Sequence, residues 1–430
     1  MSIPIVALLG LLVLFLGSGV WVGMSLLGVG ASLLALFRSM PVERLLGQVV
    51  FNSTTGPELV ALPLFILMAE ILFRTRMSEM LFSGLGPWTT RLPGRLIHAN
   101  VLGCTLFAAV SGSSAATTAT VGRITATELL NRGYDRNLVV GSLAGAGTLG
   151  FLIPPSTMMI IYGVLSQTSI IKLFIAGIVP GLIIAGCYMV YIGVAAILRP
   201  SAVPAPEPSM KLIYRVRALA NLLPVVALII AVVGSMYMGI ASPSEAAGVG
   251  VAGSLVIALM QRTLSWRGLL DAVLGACRTI SMISLIIAGA VFLSVVLGFL
   301  GIPRMAAEWI TQFHLEPIML IAILLVFYIL LGCVLEGLSM MVMTLPVTLP
   351  LVLAAGFDPV WFGIFMVLVI ELAQITPPVG FNLFVIQSLT GMRVSQIARA
   401  TFPFFLIMVA FTLAIAIFPE IVTYLPNGMK

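Results

Sequence analysis

Long apolar runs, separated by short connections that hold most of the charge, dominate this chain. Only 8% of its 430 residues are charged and 60% are hydrophobic. An ordinary soluble domain carries about 25% charged residues, so too little charge is present to cover a water-facing surface. A soluble enzyme is excluded. At roughly 20 residues per spanning helix, the apolar content allows on the order of a dozen membrane passes. The expectation is an all-α, polytopic membrane protein of about 11–12 transmembrane helices. Abundant Gly and Pro fit this class, because neighbouring membrane helices re-satisfy a backbone that such residues interrupt.

The net charge is +6. The basic residues sit between apolar runs, so they report topology and not nucleic-acid binding. Two basic connections stand out. One covers 74–95, with Arg74, Arg76, Arg91 and Arg95. The other, 199–217, is Pro-rich and carries Arg199, Lys211, Arg215 and Arg217 against Glu207. The bias of Lys and Arg toward the inner side makes it a cytoplasmic loop. The four cysteines, Cys104, Cys187, Cys277 and Cys333, lie singly in apolar runs and read as small buried residues. His98 and His314 have no second ligand nearby. The first basic residue is Arg38, and the apolar stretch from Ile3 to Phe37 is too long for a signal core. It reads as two retained passes, broken near Gly17-Ser18-Gly19.

Helical runs are predicted at 3–17, 20–37, 57–73, 95–110, 137–166, 171–198, 218–239, 243–260, 269–300, 315–334, 361–388 and 400–419. The basic loop at 199–217 divides the chain into halves, 1–198 and 218–430, and the halves match. Gly133-Tyr134-Asp135 recurs as Gly356-Phe357-Asp358, an offset of 223 (356 minus 133). Pro154-Pro155 recurs at the same offset as Pro377-Pro378. Ser111-Gly112-Ser113-Ser114 has a looser counterpart in Glu336-Gly337-Leu338-Ser339. Two repeats of inverted topology are expected, each with a re-entrant hairpin (about 111–135 and 334–357) and a Pro-broken helix (about 137–166 and 361–388).

The stretch Ser111 to Thr120 contains no large side chain, and Val121 to Leu130 is too short to cross a bilayer. Small Ser and Thr residues also pack helix interfaces, so a hairpin tip and a tight helix contact are both open readings. Gly133 ends the exit, and Asp135 is a natural N-cap for the next helix. Asp358 is followed by Pro359, the favoured first-turn residue.

Each proline removes an N–H, which leaves the carbonyl four residues earlier without its helical donor. Pro154 and Pro155 would free Gly150 and Phe151, and Pro377 and Pro378 would free Ala373 and Gln374. Such oxygens suit a hard cation like Na⁺, while half-helix N-termini attract an anion. The other reading is a plain kink. Four carboxylates, Glu70, Glu245, Glu336 and Glu371, lie in or near apolar runs. Each is a candidate for balancing a cation or relaying a proton, or for pairing with an Arg. No hydrolase triad, His-rich metal motif or Walker-type Gly-Lys-Ser/Thr sequence is present, which argues against ATP as the driving force.

Three segments carry a family resemblance. They are Gly112 to Gly122 (GSSAATTATVG), Gly147 to Ser156 (GTLGFLIPPS) and Thr376 to Phe384 (TPPVGFNLF). Together they resemble the large membrane subunit of TRAP transporters, the DctM type, over nearly the whole chain. The resemblance implies a bacterial inner-membrane, Na⁺-driven importer with an elevator-type scaffold and transport domain. It also implies a small four-helix membrane subunit of the DctQ type and a periplasmic solute-binding protein that delivers an organic-acid anion. Carried onto this chain, one Na⁺ falls to Ser111, Ser114, Gly150, Ile153 and Pro155. A second falls to Gly332, Ala373, Thr376 and Val379. Ala373 stands where the family pattern leads one to expect Gly; a carbonyl ligand survives that change. Ser113, Thr117, Ser339 and Asn382 are the candidates for substrate contact. The small subunit is expected as a separate chain. The rival readings are a self-sufficient Na⁺/carboxylate symporter and, from another class, a membrane scaffold or intramembrane enzyme.

Overall fold

The polar Gly-x-Asp turns punctuate the fold as their chemistry requires. In this computed structural model, which describes residues 3–38, 41–205, 211–311 and 316–428, Gly133 and Gly356 have φ of +80° and +92°. That left-handed conformation ends a helix cheaply only at glycine. Two residues later Asp135 accepts from the Leu138 N–H at 2.8 Å. Asp358 accepts from Val360 and Trp361 at 2.7 and 3.2 Å. Each Asp thus starts the first half of a broken helix, Arg136–Thr148 and Pro359–Gln374.

Both of those half-helices form the centre of the molecule. Every residue from Leu138 to Thr148 is buried, as is every residue from Val360 to Gln374. A helix that is apolar all round can only satisfy its surface by being enclosed. The chain leaves helical geometry at Gly150 to Pro155 and at Thr376 to Gly380, then resumes as Thr157–Ser166 and Phe381–Thr390. The Pro154-Pro155 and Pro377-Pro378 bonds are both cis.

Each broken helix is preceded by a helical hairpin. The first pairs His98–Ser111 with Ser114–Asn131, and the second pairs Pro317–Gly332 with Gly337–Ala354. Ser114–Asn131 and Gly337–Ala354 both start and end 223 positions apart (337 minus 114; 354 minus 131). The hairpins are larger than the sequence indicated. Their tips, not their entrances, lie at 112–113 and 333–336, because the preceding apolar runs supply the first limbs. His98–Ser111 is 14 residues long, about 21 Å at 1.5 Å per residue, too short to span a hydrocarbon layer of about 30 Å.

Around these elements lies a second group of helices. Trp266–Phe299, 34 residues long, packs along Val22–Phe37, Val42–Thr54 and Ala61–Leu72, and Pro243–Met260 also packs on Ala61–Leu72. Six helices among the described residues are long and apolar enough to cross a membrane, with eight shorter apolar ones beside them. The apolar sequence is therefore divided between long spans and the shorter hairpin limbs and half-helices.

Other expectations need correction. The basic connection at 74–95 contains the helix Met77–Thr89, whose apolar side buries Met77, Leu81 and Leu85. The loop at 199–217 is shorter than expected, because Leu212 already begins a helix that runs to Tyr237. Residues 206–210 of that loop, with Glu207, and His314 lie outside the described residues. Only Cys104 is buried; Cys187 and Cys333 are half-buried and Cys277 is exposed on an apolar helix face, where lipid is an adequate neighbour for a thiol. All four are free.

Candidate functional site

The tip of the first hairpin is built from hydroxyls too short to hold themselves apart. Ser111 Oγ meets Thr117 Oγ1 at 2.6 Å and lies 3.3 Å from Ser113 O. This tip docks on the first helix break. Thr157 donates both its N–H (3.3 Å) and its hydroxyl (2.8 Å) to Gly112 O. A Cβ on Gly150 would lie 2.5 Å from Ser113 O and 2.8 Å from Ser114 Cα, so only glycine permits the approach. A Cβ on Gly112 would lie 2.9 Å from Pro155 O. The structure therefore brings Ser111, Ser114, Gly150 and Pro155 together. Ile153 belongs to the same break, its side chain seated against Gly181. The Gly150 and Phe151 carbonyl oxygens accept no hydrogen bond among the described residues.

The second hairpin docks on the second broken helix in a similar way. Gly332 abuts Ala373, and Gly337 abuts Ile370. Thr376 donates its N–H to Ala373 O at 3.3 Å and its hydroxyl to Leu372 O at 2.6 Å, while Thr376 O takes the Gly380 N–H at 3.0 Å. Ala373 O is therefore not freed outright, as the proline pair alone suggests; a carbonyl retains a second lone pair. Val379 lies within the turn that Thr376 and Gly380 close. Glu336 caps the second limb, accepting from Ser339 N–H and Oγ, both at 3.4 Å.

The two assemblies share one cavity of about 260 Å³. Its far wall comes from Ile66, Ala69, Glu70 and Phe73 and from Thr279, Met282 and Ile283. Its near wall holds the N-terminal ends of four helices, represented by Ala115, Thr157, Leu338 and Phe381. The aligned peptide dipoles make such ends attractive to an anion. No Lys or Arg lines the cavity. Of the four candidates for substrate contact, Ser113 lines it. Thr117 is tied to Ser111, Ser339 to Glu336, and Asn382 to Ser114 Oγ at 2.8 Å.

The four carboxylates occupy different settings. Glu70 pairs with Arg74 at 2.6 Å and Glu245 forms a capping box with Ser242. Glu336 is on the cavity wall, and Glu371 is fully buried. Thr157 and Thr279 were not legible in the sequence, and Gln374 was named there only for its carbonyl; isolated polar residues on apolar helices give no periodic signal. No group of three His, Cys, Asp or Glu side chains among the described residues could hold a metal. The oxygens gathered at the two breaks are carbonyls and hydroxyls, donors of the hard type.

Residues 9–421 match the family described as Tripartite ATP-independent periplasmic transporter, DctM component. The chain belongs to this family. It is the large permease subunit of a TRAP transporter, a multi-pass protein of the bacterial inner membrane. DctM members are permeases, not enzymes, and they work with a periplasmic binding protein and usually a small membrane subunit. The C4-dicarboxylate TRAP transporter large permease protein DctM of Pseudomonas aeruginosa is 34% identical over 94% of this chain and 94% of its own length. The sialic acid TRAP transporter permease protein SiaT of Haemophilus influenzae is 27% identical, over 99% of this chain and 68% of its own length. Among solved structures, the YdaH transporter of Alcanivorax borkumensis shares the fold, with a TM-score of 0.65 and 12% identity over 95% of this chain and 98% of that one.

Proposed function

We propose that this DctM subunit is the permease of a Na⁺-driven, ATP-independent importer that takes a small organic-acid anion from a periplasmic binding protein. A separate small membrane subunit completes the assembly. The observation that carries the reading is the convergence of four helix N-termini on one cavity that lacks any basic side chain. An anion there draws on helix dipoles, and a carboxylate on the same wall, Glu336, opposes it. Cations beside the cavity resolve that conflict. Ser111, Ser114, Gly150, Ile153 and Pro155 would hold one Na⁺; Gly332, Ala373, Thr376 and Val379 would hold another. Each ion would supply positive charge and fix its hairpin tip against its helix break.

The cavity volume lies just below the usual range for ligand pockets, about 300–1,000 Å³, which favours a small substrate. C4-dicarboxylate, sialic acid and isethionate appear in the names of relatives, and all are organic anions. Ectoine appears in another. The cavity lies on the seam between hairpins plus broken helices on one side and Ala61–Leu72 with Trp266–Phe299 on the other. Displacing the first group as a unit along that seam is the elevator step.

The test is uptake by the tripartite assembly in proteoliposomes, with Na⁺ replaced by K⁺ at constant membrane potential. Uptake should collapse. Undiminished uptake in K⁺ overturns the reading, and uptake by the chain alone would favour a self-sufficient symporter.

A further inference from the structure

Among the described residues, Glu371 is the single buried acidic side chain, at 0% exposure. Neither of its oxygens has a hydrogen-bond partner, and no ion pair neutralises it. It lies on the fully enclosed helix Pro359–Gln374. Burying a charge without a partner costs several kcal/mol, so its neighbours matter.

They come from the opposite repeat. The carboxylate lies beside Phe151 and Leu152 of the first helix break, whose N–H groups are engaged by Thr148 O and Leu149 O at 3.2 and 3.1 Å. Tyr188 stands beside it, also fully buried, its hydroxyl likewise without a partner. Thr148 completes the polar surroundings, its own hydroxyl committed to Gly145 O at 2.7 Å. No Lys, Arg or His faces the group from any of these elements. On the same helix, Ile370 and Ala373 touch the second hairpin. The helix therefore presents Glu371 to the first break and Ala373 to the second assembly.

Both oxygen-rich breaks are made of neutral groups. A cation in either has no opposite charge in its own ligand set, and the carboxylates on the cavity wall, Glu70 and Glu336, are engaged by Arg74 and by Ser339. Glu371 is an opposite charge without a cation, set between the two. We propose that Glu371 is the shared counter-charge of the two coupling cations, linking occupancy of the first helix break to occupancy of the second. The proposal rests on the Na⁺ reading above and adds the residue that balances the ions electrically.

The experiment uses the purified full chain in nanodiscs, titrated with NaCl against KCl at constant ionic strength. The readouts are the Na⁺-dependent rise in unfolding temperature and equilibrium binding of radioactive ²²Na⁺. Glu371→Gln keeps the shape and removes the charge. Its Na⁺ midpoint should rise roughly tenfold or more, the factor that ~1.4 kcal/mol produces. Glu371→Asp should retain the Na⁺ response. If the parent does not distinguish Na⁺ from K⁺, the Na⁺ reading itself fails. If the parent does and Glu371→Gln responds at the same midpoint, the counter-charge is refuted while Na⁺ coupling stands. A Gln variant that does not fold also refutes it.

Discussion

Asn382 Nδ2 donates to Ser114 Oγ at 2.8 Å, joining residues 268 positions apart. Ser114 begins the second limb of the first hairpin, and Asn382 lies in the first turn after the second helix break. Both are fully buried. The bond fixes the tip that would contact the first Na⁺ to the half-helix beyond the second. A hydroxyl in that position serves packing and ion geometry together.

Asn382→Leu should lower stability by about 1–3 kcal/mol, the cost of leaving a buried hydroxyl without its partner. Ser114→Ala combined with Asn382→Leu should cost less than the sum of the two single changes, as expected for groups in contact. Thermal unfolding of the four proteins in detergent measures the coupling. Additive effects would show that the contact carries no energy of its own.

Gly332 and Ala373 meet so closely that a Cβ on Gly332 would collide with the Ala373 Cβ. Gly332→Ala should therefore destabilise by about 1–3 kcal/mol through overpacking, and should weaken Na⁺-dependent uptake by parting hairpin from break. Adding Ala373→Gly removes the colliding methyl and should recover much of both losses. Recovery of stability without recovery of Na⁺ dependence would remove Gly332 and Ala373 from the ion site.

The proline pairs should not behave alike. At the first break the Gly150 and Phe151 oxygens are free, so Pro154→Ala with Pro155→Ala introduces N–H groups able to reach them. Two regained bonds, about 1 kcal/mol each, would compete with the cation and raise the Na⁺ midpoint roughly tenfold or more. At the second break Ala373 O already accepts the Thr376 N–H. Pro377→Ala with Pro378→Ala should shift the midpoint less. The Na⁺ dependence of uptake for each double variant decides the matter; no shift in either makes both pairs simple kinks.

Much of this architecture was legible in the residues themselves. Apolar runs placed the chain in the membrane, because water cannot cover so little charge. The 223-residue offset tied Pro154-Pro155 to Pro377-Pro378, and Gly133 with Asp135 to Gly356 with Asp358. Those signals are local: a missing N–H, a left-handed glycine and an N-cap carboxylate act within one turn of where they stand. Less apolar helices such as Met77–Thr89 escaped notice, since their sequence reads as a charged connection.

Only the tertiary structure decided which of these pieces meet. Asn382 reaching Ser114, Glu371 lying beside Phe151 and Leu152, and Glu70 and Thr279 lining one cavity with Ser113 and Gln374 all join residues far apart in sequence. No periodicity encodes such meetings. They follow from close packing, in which the absence of a Cβ at Gly150 or Gly332 lets one backbone settle against another and so determines which oxygens surround a shared space. The sequence by itself determined a membrane-embedded chain with two interrupted helices. The packing of each interruption against the hairpin that precedes it decided which residues surround the cavity.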